Sequence, residues 1–175
     1  MSISLYQASV PGYLQALRAT AGFMQRGLEH AGEHDIDPGE FVQARIHADM
    51  RPFRFQIRSV VHHSLGAIDG IRSGVFAPPA MESDDDYAAL QRQVEEAVAA
   101  LEAVEAAEVD RCIGSEVVFQ LGERRLPFLA EDFLFSFSLP NFHFHVTTAY
   151  GILRMRGVPL GKRDYLGRLR LHRPD

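Results

Sequence analysis

Apolar residues return at steps of three and four along most of the chain, the spacing of one face of an α-helix. Tyr6, Val10, Tyr13, Leu14, Leu17, Ala21, Met24 and Leu28 form the first such stripe. Pro11 is expected in a first turn or at a shallow kink. Gly32 and the polar run from His34 to Gly39 end the helix. A second stripe follows Pro52 with Phe53, Ile57, Val60, Val61, Leu65, Ile68 and Ile71, and Gly70 and Gly74 close it. The segment from Val75 to Glu82 carries Pro78 and Pro79 and reads as a loop. Ser83, with Asp86 three positions on, predicts the start of a third helix by a capping-box pattern. Its stripe is Tyr87, Leu90, Val94, Val98, Leu101 and Val104, with glutamates on the other side.

From Glu116 the period drops to two. Glu116 to Leu121, a Gly122-Glu123 turn, and Arg124 to Phe128 predict a short β-hairpin, which must pack on the helices to be stable. The last helix is expected from about Ala130 to Arg156, ending at Gly157. Four long helices, loops and one hairpin predict an all-α fold, an antiparallel up-down four-helix bundle with the hairpin between helices 3 and 4. The chain of 175 residues has room for a single domain, residues 1–175, with a basic tail from about residue 153.

The last helix holds the most informative residues. With Asn141 set at zero and about 100 degrees per residue, Leu134, Phe137, Phe144, Ile152 and Met155 fall within about 60 degrees of it. So do His145 and Thr148, which puts three polar groups in an aliphatic stripe, where each needs a partner. His143 falls on the opposite side. Phe135, Leu139, Phe142, Val146, Tyr150 and Leu153 make that other side apolar as well. A helix apolar nearly all round is buried on both sides, and in a four-helix bundle the hairpin, a long loop or another subunit must cover the outer one; a homodimer to which this helix contributes is predicted.

The remaining chemistry is sparse. His62 and His63 flank the aliphatic centre of the second helix instead of entering it. His30 and His34 sit at a helix C-terminus, where cations suit the dipole. His47 and Asp49, in the connection before the second helix, could reach an open end of the bundle. Cys112 follows an acidic helix whose carboxylates would raise its pKa, which argues against a thiolate nucleophile. Phosphate-binding loops, dinucleotide fingerprints, His-Glu-x-x-His, Gly-x-Ser-x-Gly and ferritin-like Glu-x-x-His are all missing from the sequence.

Composition narrows the class. A hydrophobic fraction of 46% with 23% charged residues is that of a globular chain. The uncharged stretch Phe133 to Leu153 contains Pro140, Asn141 and two histidines, which argues against a membrane span. No secretion signal is visible and there is one cysteine, so a cytoplasmic location is expected. The net charge of −5 argues against a general nucleic-acid binder. It is unevenly spread: Arg154 to Asp175 holds seven Lys/Arg against two Asp, whereas Glu82 to Asp110 holds ten carboxylates and only Arg92. The tail is expected to lie on that acidic helix, of its own or a partner subunit, or else to grip phosphate or RNA.

The segment from Leu139 to Tyr150, with Ile152-Leu153-Arg154 and Gly161 to Gly167, resembles the closing signature of a bacterial family within the DinB/YfiT-like superfamily. Leu5 to Pro11, Asp49-Met50, Pro52 and the region of Gln56 extend the likeness over almost the whole chain. It implies an up-down four-helix bundle, commonly dimeric. In better-known members three histidines, one on the second helix and two on the last, hold a divalent metal, and some members transfer thiols or open rings. By position, that set is His62 or its neighbour, with Asn141 and His145 as the final pair four residues apart, and zinc, nickel or manganese as the ion. Asn141 stands where a histidine is expected, and an amide oxygen is a poor ligand for zinc or nickel. Two readings follow: a metal-dependent enzyme acting on a small molecule, with Thr148, His47 and Asp49 lining its pocket, or a non-catalytic dimeric bundle in which Asn141, His145 and Thr148 form a structural polar cluster able to orient a small ligand.

Overall fold

The computed structural model describes residues 3–78 and 84–172. Helix α1 (Leu5–Glu33) opens on a capping box, in which Ser4 Oγ accepts from the Gln7 N–H and Gln7 Oε1 accepts from the Ser4 N–H. Pro11 lies inside α1, past the first turn. A short α2 (Pro38–Gln43), capped by Asp37, forms within the connection that follows.

The second helical segment is not a single α-helix. It runs as α3 (Phe53–Val61), a π-helical stretch His62–Gly66, and α4 (Ala67–Ser73). Gly74, at φ 78°, takes the left-handed conformation that ends it. Val75–Phe76 then forms a two-residue strand, β1, where the sequence reads as a loop. Helix α5 (Tyr87–Glu102) is capped by Asp86, which accepts from the Ala89 N–H at 2.7 Å, so the helix starts after the expected Ser83; that residue lies outside the described ones. A short α6 (Ala106–Asp110) leads to strands β2 (Glu116–Leu121) and β3 (Arg124–Leu129). These pair antiparallel across Gly122 and Glu123, from Glu116↔Leu129 to Leu121↔Arg124. β1 adds to β2 in parallel, with Val75 opposite Val118, giving a three-stranded sheet in the order β1-β2-β3.

The final helical segment has the same construction as the second: α7 (Ala130–Asp132), a π-helical stretch Phe133–Ser138, and α8 (Leu139–Met155). Pro140 has no N–H to give the preceding turn, and a wide turn is one way to accommodate that loss. The two π stretches meet. Ser138 Oγ donates to the His63 carbonyl at 2.7 Å and accepts from Tyr13 Oη at 3.0 Å, tying three helical segments at a fully buried point. Burial without a compensating charge holds the Tyr13 hydroxyl well above its usual pKa.

Helix α1 packs on α5 and α8, and α3 packs on the same two. At the α1–α3–α5 seam the Tyr87 ring stacks on Phe53 with centroids 5.6 Å apart and its hydroxyl donates to the Met24 carbonyl. The sheet closes over the π stretches through aromatic contacts, Phe119 on Phe137 at 4.8 Å and Phe76 on Phe133 at 5.0 Å. That supplies the support two isolated strands lack.

The last helix is turned from the expected orientation. Its buried residues are Phe142, His145, Val146, Thr148, Ala149, Ile152 and Leu153, whereas Phe144 and Met155 are 55% and 52% exposed. Phe142, Val146 and Leu153, which the periodicity assigns to a face against a partner, lie in this chain's own core. The tail also differs. A short α9 (Lys162–Leu166) and the residues after it lie on α1: Arg26 bonds Asp164 and the Pro159 carbonyl, and Gln15 donates to the Leu166 carbonyl. Among the described residues no tail cation pairs with the acidic α5.

Candidate functional site

Histidine 145 is the centre of the site. It stands on the buried face of α8, and its Nδ1 lies 2.8 Å from Gln56 Oε1 on α3. An amide oxygen only accepts, so Nδ1 carries the proton and Nε2 keeps its lone pair. The Gln56 amide nitrogen is in turn fixed on the Arg51 carbonyl at 2.8 Å, so the oxygen faces the imidazole by necessity. Phe55 and Phe144 pack edge-on to the His145 ring.

Two more imidazoles complete a cluster. The His63 ring lies 5.7 Å from His145, nearly parallel to it, and 5.4 Å from His62. The π stretch explains their position. A wider turn changes the phase of the helix, so His63 is buried and His62 half-buried against Phe76 instead of both flanking the core. Gly66 leaves room for the His62 ring, since a Cβ there would lie 3.2 Å from its Nδ1.

The electrostatics follow from burial. Desolvation pushes the pKa of His62 down to about 4, that of His63 to about 3 and that of His145 to about 4. The rings repel one another's charge, and Arg58 adds to the effect at His62. All three imidazoles are neutral at pH 7. Two buried nitrogens, His62 Nε2 and His63 Nδ1, have no hydrogen-bond partner. Buried polar atoms without partners are uncommon and call for an explanation.

The other expected residues are not gathered here. Asn141 donates its amide to the Phe137 carbonyl, and Thr148 Oγ1 donates to the Phe144 carbonyl, each one turn back on its own segment. The expected cluster of Asn141, His145 and Thr148 is therefore not joined by hydrogen bonds; each residue has its own partner. His47 and Asp49 bond each other at 2.5 Å on the exposed surface. His30 and His34 lie together at the end of α1, with ring centroids 4.1 Å apart and the planes tilted by 36°. The Cys112 thiol is raised by burial first, with Arg72 and Arg111 opposing, so the direction expected from its carboxylate neighbours has a different cause.

The donor chemistry suits a borderline divalent ion: neutral imidazoles, bare buried nitrogens, and an amide orienting one ring from behind. The arrangement suits it less. Among the described residues no three His, Cys, Asp or Glu side chains converge to hold an ion.

With this geometry in view, comparison with known proteins gives the family. The domain of unknown function DUF1993 matches residues 5–166, and the chain belongs to that family. The fold is DinB-like: a crystal structure of a DinB family member from Shewanella denitrificans superposes with a TM-score of 0.82 at 22% identity, covering 97% of this chain and 96% of that one. No curated protein matches. Among the described residues no helix is long and apolar enough to cross a membrane.

Proposed function

We propose that the protein is a divalent-metal-dependent enzyme of the DinB-like type acting on a small molecule, built on an up-down four-helix bundle to which the β2–β3 hairpin is appended. His145, His62 and His63 are its ligands. The single observation that carries this reading is the pair of buried, unpartnered nitrogens, His62 Nε2 and His63 Nδ1, beside a histidine whose Nε2 is left bare by Gln56. His63 takes the place first given to Asn141, whose amide is occupied by Phe137. The three rings do not converge on one point as they stand, so binding would require them to reorient, and the cost of burying the two nitrogens unpaired would be recovered on binding. Bound there, zinc, nickel or manganese would lower the pKa of a coordinated water.

The test is metal content. Protein purified without chelator and re-exposed to each ion should hold about one equivalent per chain, lost in both His145→Ala and His63→Ala with the fold retained. Metal at background under every loading would leave the second reading, a non-catalytic bundle in which Gln56 and the three histidines form a structural polar cluster. In that case His145→Ala lowers the melting temperature only.

The homodimer belongs to the same proposal, moved to another face of α8. Phe144 and Met155 share that face with Gly151, against which Ile46 packs, and Ile46 is itself 46% exposed.

A further inference from the structure

We propose that the groove between α1 and the C-terminal tail binds a small phosphomonoester carrying an apolar substituent. After α9 the chain follows α1 closely. Gly167 is the point of closest approach: at φ 61° it takes a conformation other residues avoid, and a Cβ there would lie 3.0 Å from the Ala19 Cβ. With Gln15 holding the Leu166 carbonyl, the residues that follow are set off from the first turns of α1 and leave a groove of about 680 Å³. That is within the range of small-molecule sites, about 300 to 1,000 Å³.

The charged residues that line the groove are of one sign, with Glu102 paired to Arg18 and Asp110 on the Tyr6 N–H beside it. Arg18, Arg168 and Arg170 line it, and no carboxylate does. A second hollow shares Arg18 and Arg168 and adds Arg26 and Arg163; its one acid, Asp164, is already held by Arg26 at 2.6 Å. Among the described residues Arg168 and Arg170 have no carboxylate partner, and Arg18 has only the exposed Glu102, a pair of the kind that contributes little and is readily exchanged. Five guanidinium groups gathered in this way are anomalous in a chain of net charge −5. The guanidinium fork fits phosphate oxygens in pairs, and a phosphomonoester carries about −1.5 to −2 at pH 7, enough to face three arginines. The rest of the lining is Gln15, whose amide is held by the Leu166 carbonyl, and the apolar Pro11, Leu14, Leu169 and Leu171 with Tyr6. That apolar wall gives a polyanion nothing to bind and gives an aryl or alkyl substituent a surface to cover.

Isothermal titration of the full chain with phenyl phosphate and with inorganic phosphate tests this. One saturable site per chain is expected, with phenyl phosphate about tenfold tighter because of the apolar wall. Arg168→Gln/Arg170→Gln should weaken both ligands about tenfold or more. Both residues are exposed, so circular dichroism melting should be unchanged. Leu169→Ser should remove the phenyl advantage alone, and His145→Ala should leave binding intact. No saturable binding, undiminished binding to the double arginine variant, or equal affinity for the two ligands would overturn the proposal. Binding of single-stranded RNA or of phosphatidate vesicles without phenyl phosphate binding would overturn it too, by assigning the arginines to a polymer or a membrane.

Discussion

At the scale of single residues, the hydrogen bond between Gln56 and His145 decides what the cluster is chemically. It spans 89 positions of sequence and selects one tautomer of a buried ring. Gln56→Leu keeps the volume roughly and removes the acceptor, leaving an imidazole N–H buried without a partner. The expected cost is about 1 to 3 kcal/mol, or a melting temperature lower by about 2 to 4 °C per kcal/mol for a chain of this size. Nitrogen-15 spectra of the ring should show the His145 tautomer shifting from pure Nδ1–H to a mixture, a change that a loss of packing alone would not produce. The three depressed pKa values give a second expectation. In metal-free protein the unfolded imidazoles, near pH 6.5, bind protons before the folded ones, near 3 to 4. The stabilisation from keeping them neutral is therefore complete above pH 6.5 and lost as pH falls through about 4. Denaturant titrations at stepped pH should show that loss, reduced in His63→Phe; a flat profile over this window would contradict burial of the three rings.

At the scale of elements, the α-helical stripes were legible because burial enforces a period of 3.6, and Val10, Tyr13, Leu14, Leu17 and Met24 are buried as their spacing requires. The two π stretches were not legible, because a periodicity argument assumes the period it tests. Each adds to a turn and shifts every residue beyond it, which is why His63 enters the core and why the buried face of α8 centres on Phe142, Val146 and Ala149 in place of Asn141. Pro140 was a visible signal of the second break and Ser64, whose hydroxyl bonds the Val60 and Val61 carbonyls, a weaker one of the first. His145 was legible as a polar residue on an apolar helix; Gln56 was not, since its partner is chosen by tertiary packing. Strand β1 is two residues long and exists only through pairing with β2. Packing between elements makes its own prediction at Gly27, where a Cβ would collide with Tyr87 Oη and displace it from the Met24 carbonyl. Gly27→Ala should destabilise by about 1 to 3 kcal/mol in urea titration despite the better helix propensity of alanine. The double variant Gly27→Ala/Tyr87→Phe should recover part of it, because the colliding oxygen is gone.

At the scale of the whole molecule, the question is what covers the surface of α8 that the chain leaves open. Phe144, Gly151 and Met155 lie within about 40 degrees of one another on that helix, so the Phe144 and Met155 side chains project from one side of it. Ile46 reaches that side from the α2–α3 connection by packing on Gly151. The proposed second copy would use this side of the helix that carries His145, where Phe144, Met155 and the neighbouring Ile46 are each about half exposed. In a two-fold dimer this side would meet its own image, and the aromatic ring of Phe144 would supply most of the burial. Light scattering after size exclusion at micromolar concentration should give twice the mass of 19.6 kDa for the wild type. Phe144→Asp should give the monomer mass, since an uncompensated charge would be buried at the contact. The side chain is more than half exposed in the single chain, so the substitution should cost the folded monomer little. A wild-type monomer would remove the dimer, and a Phe144→Asp dimer would move it to another face.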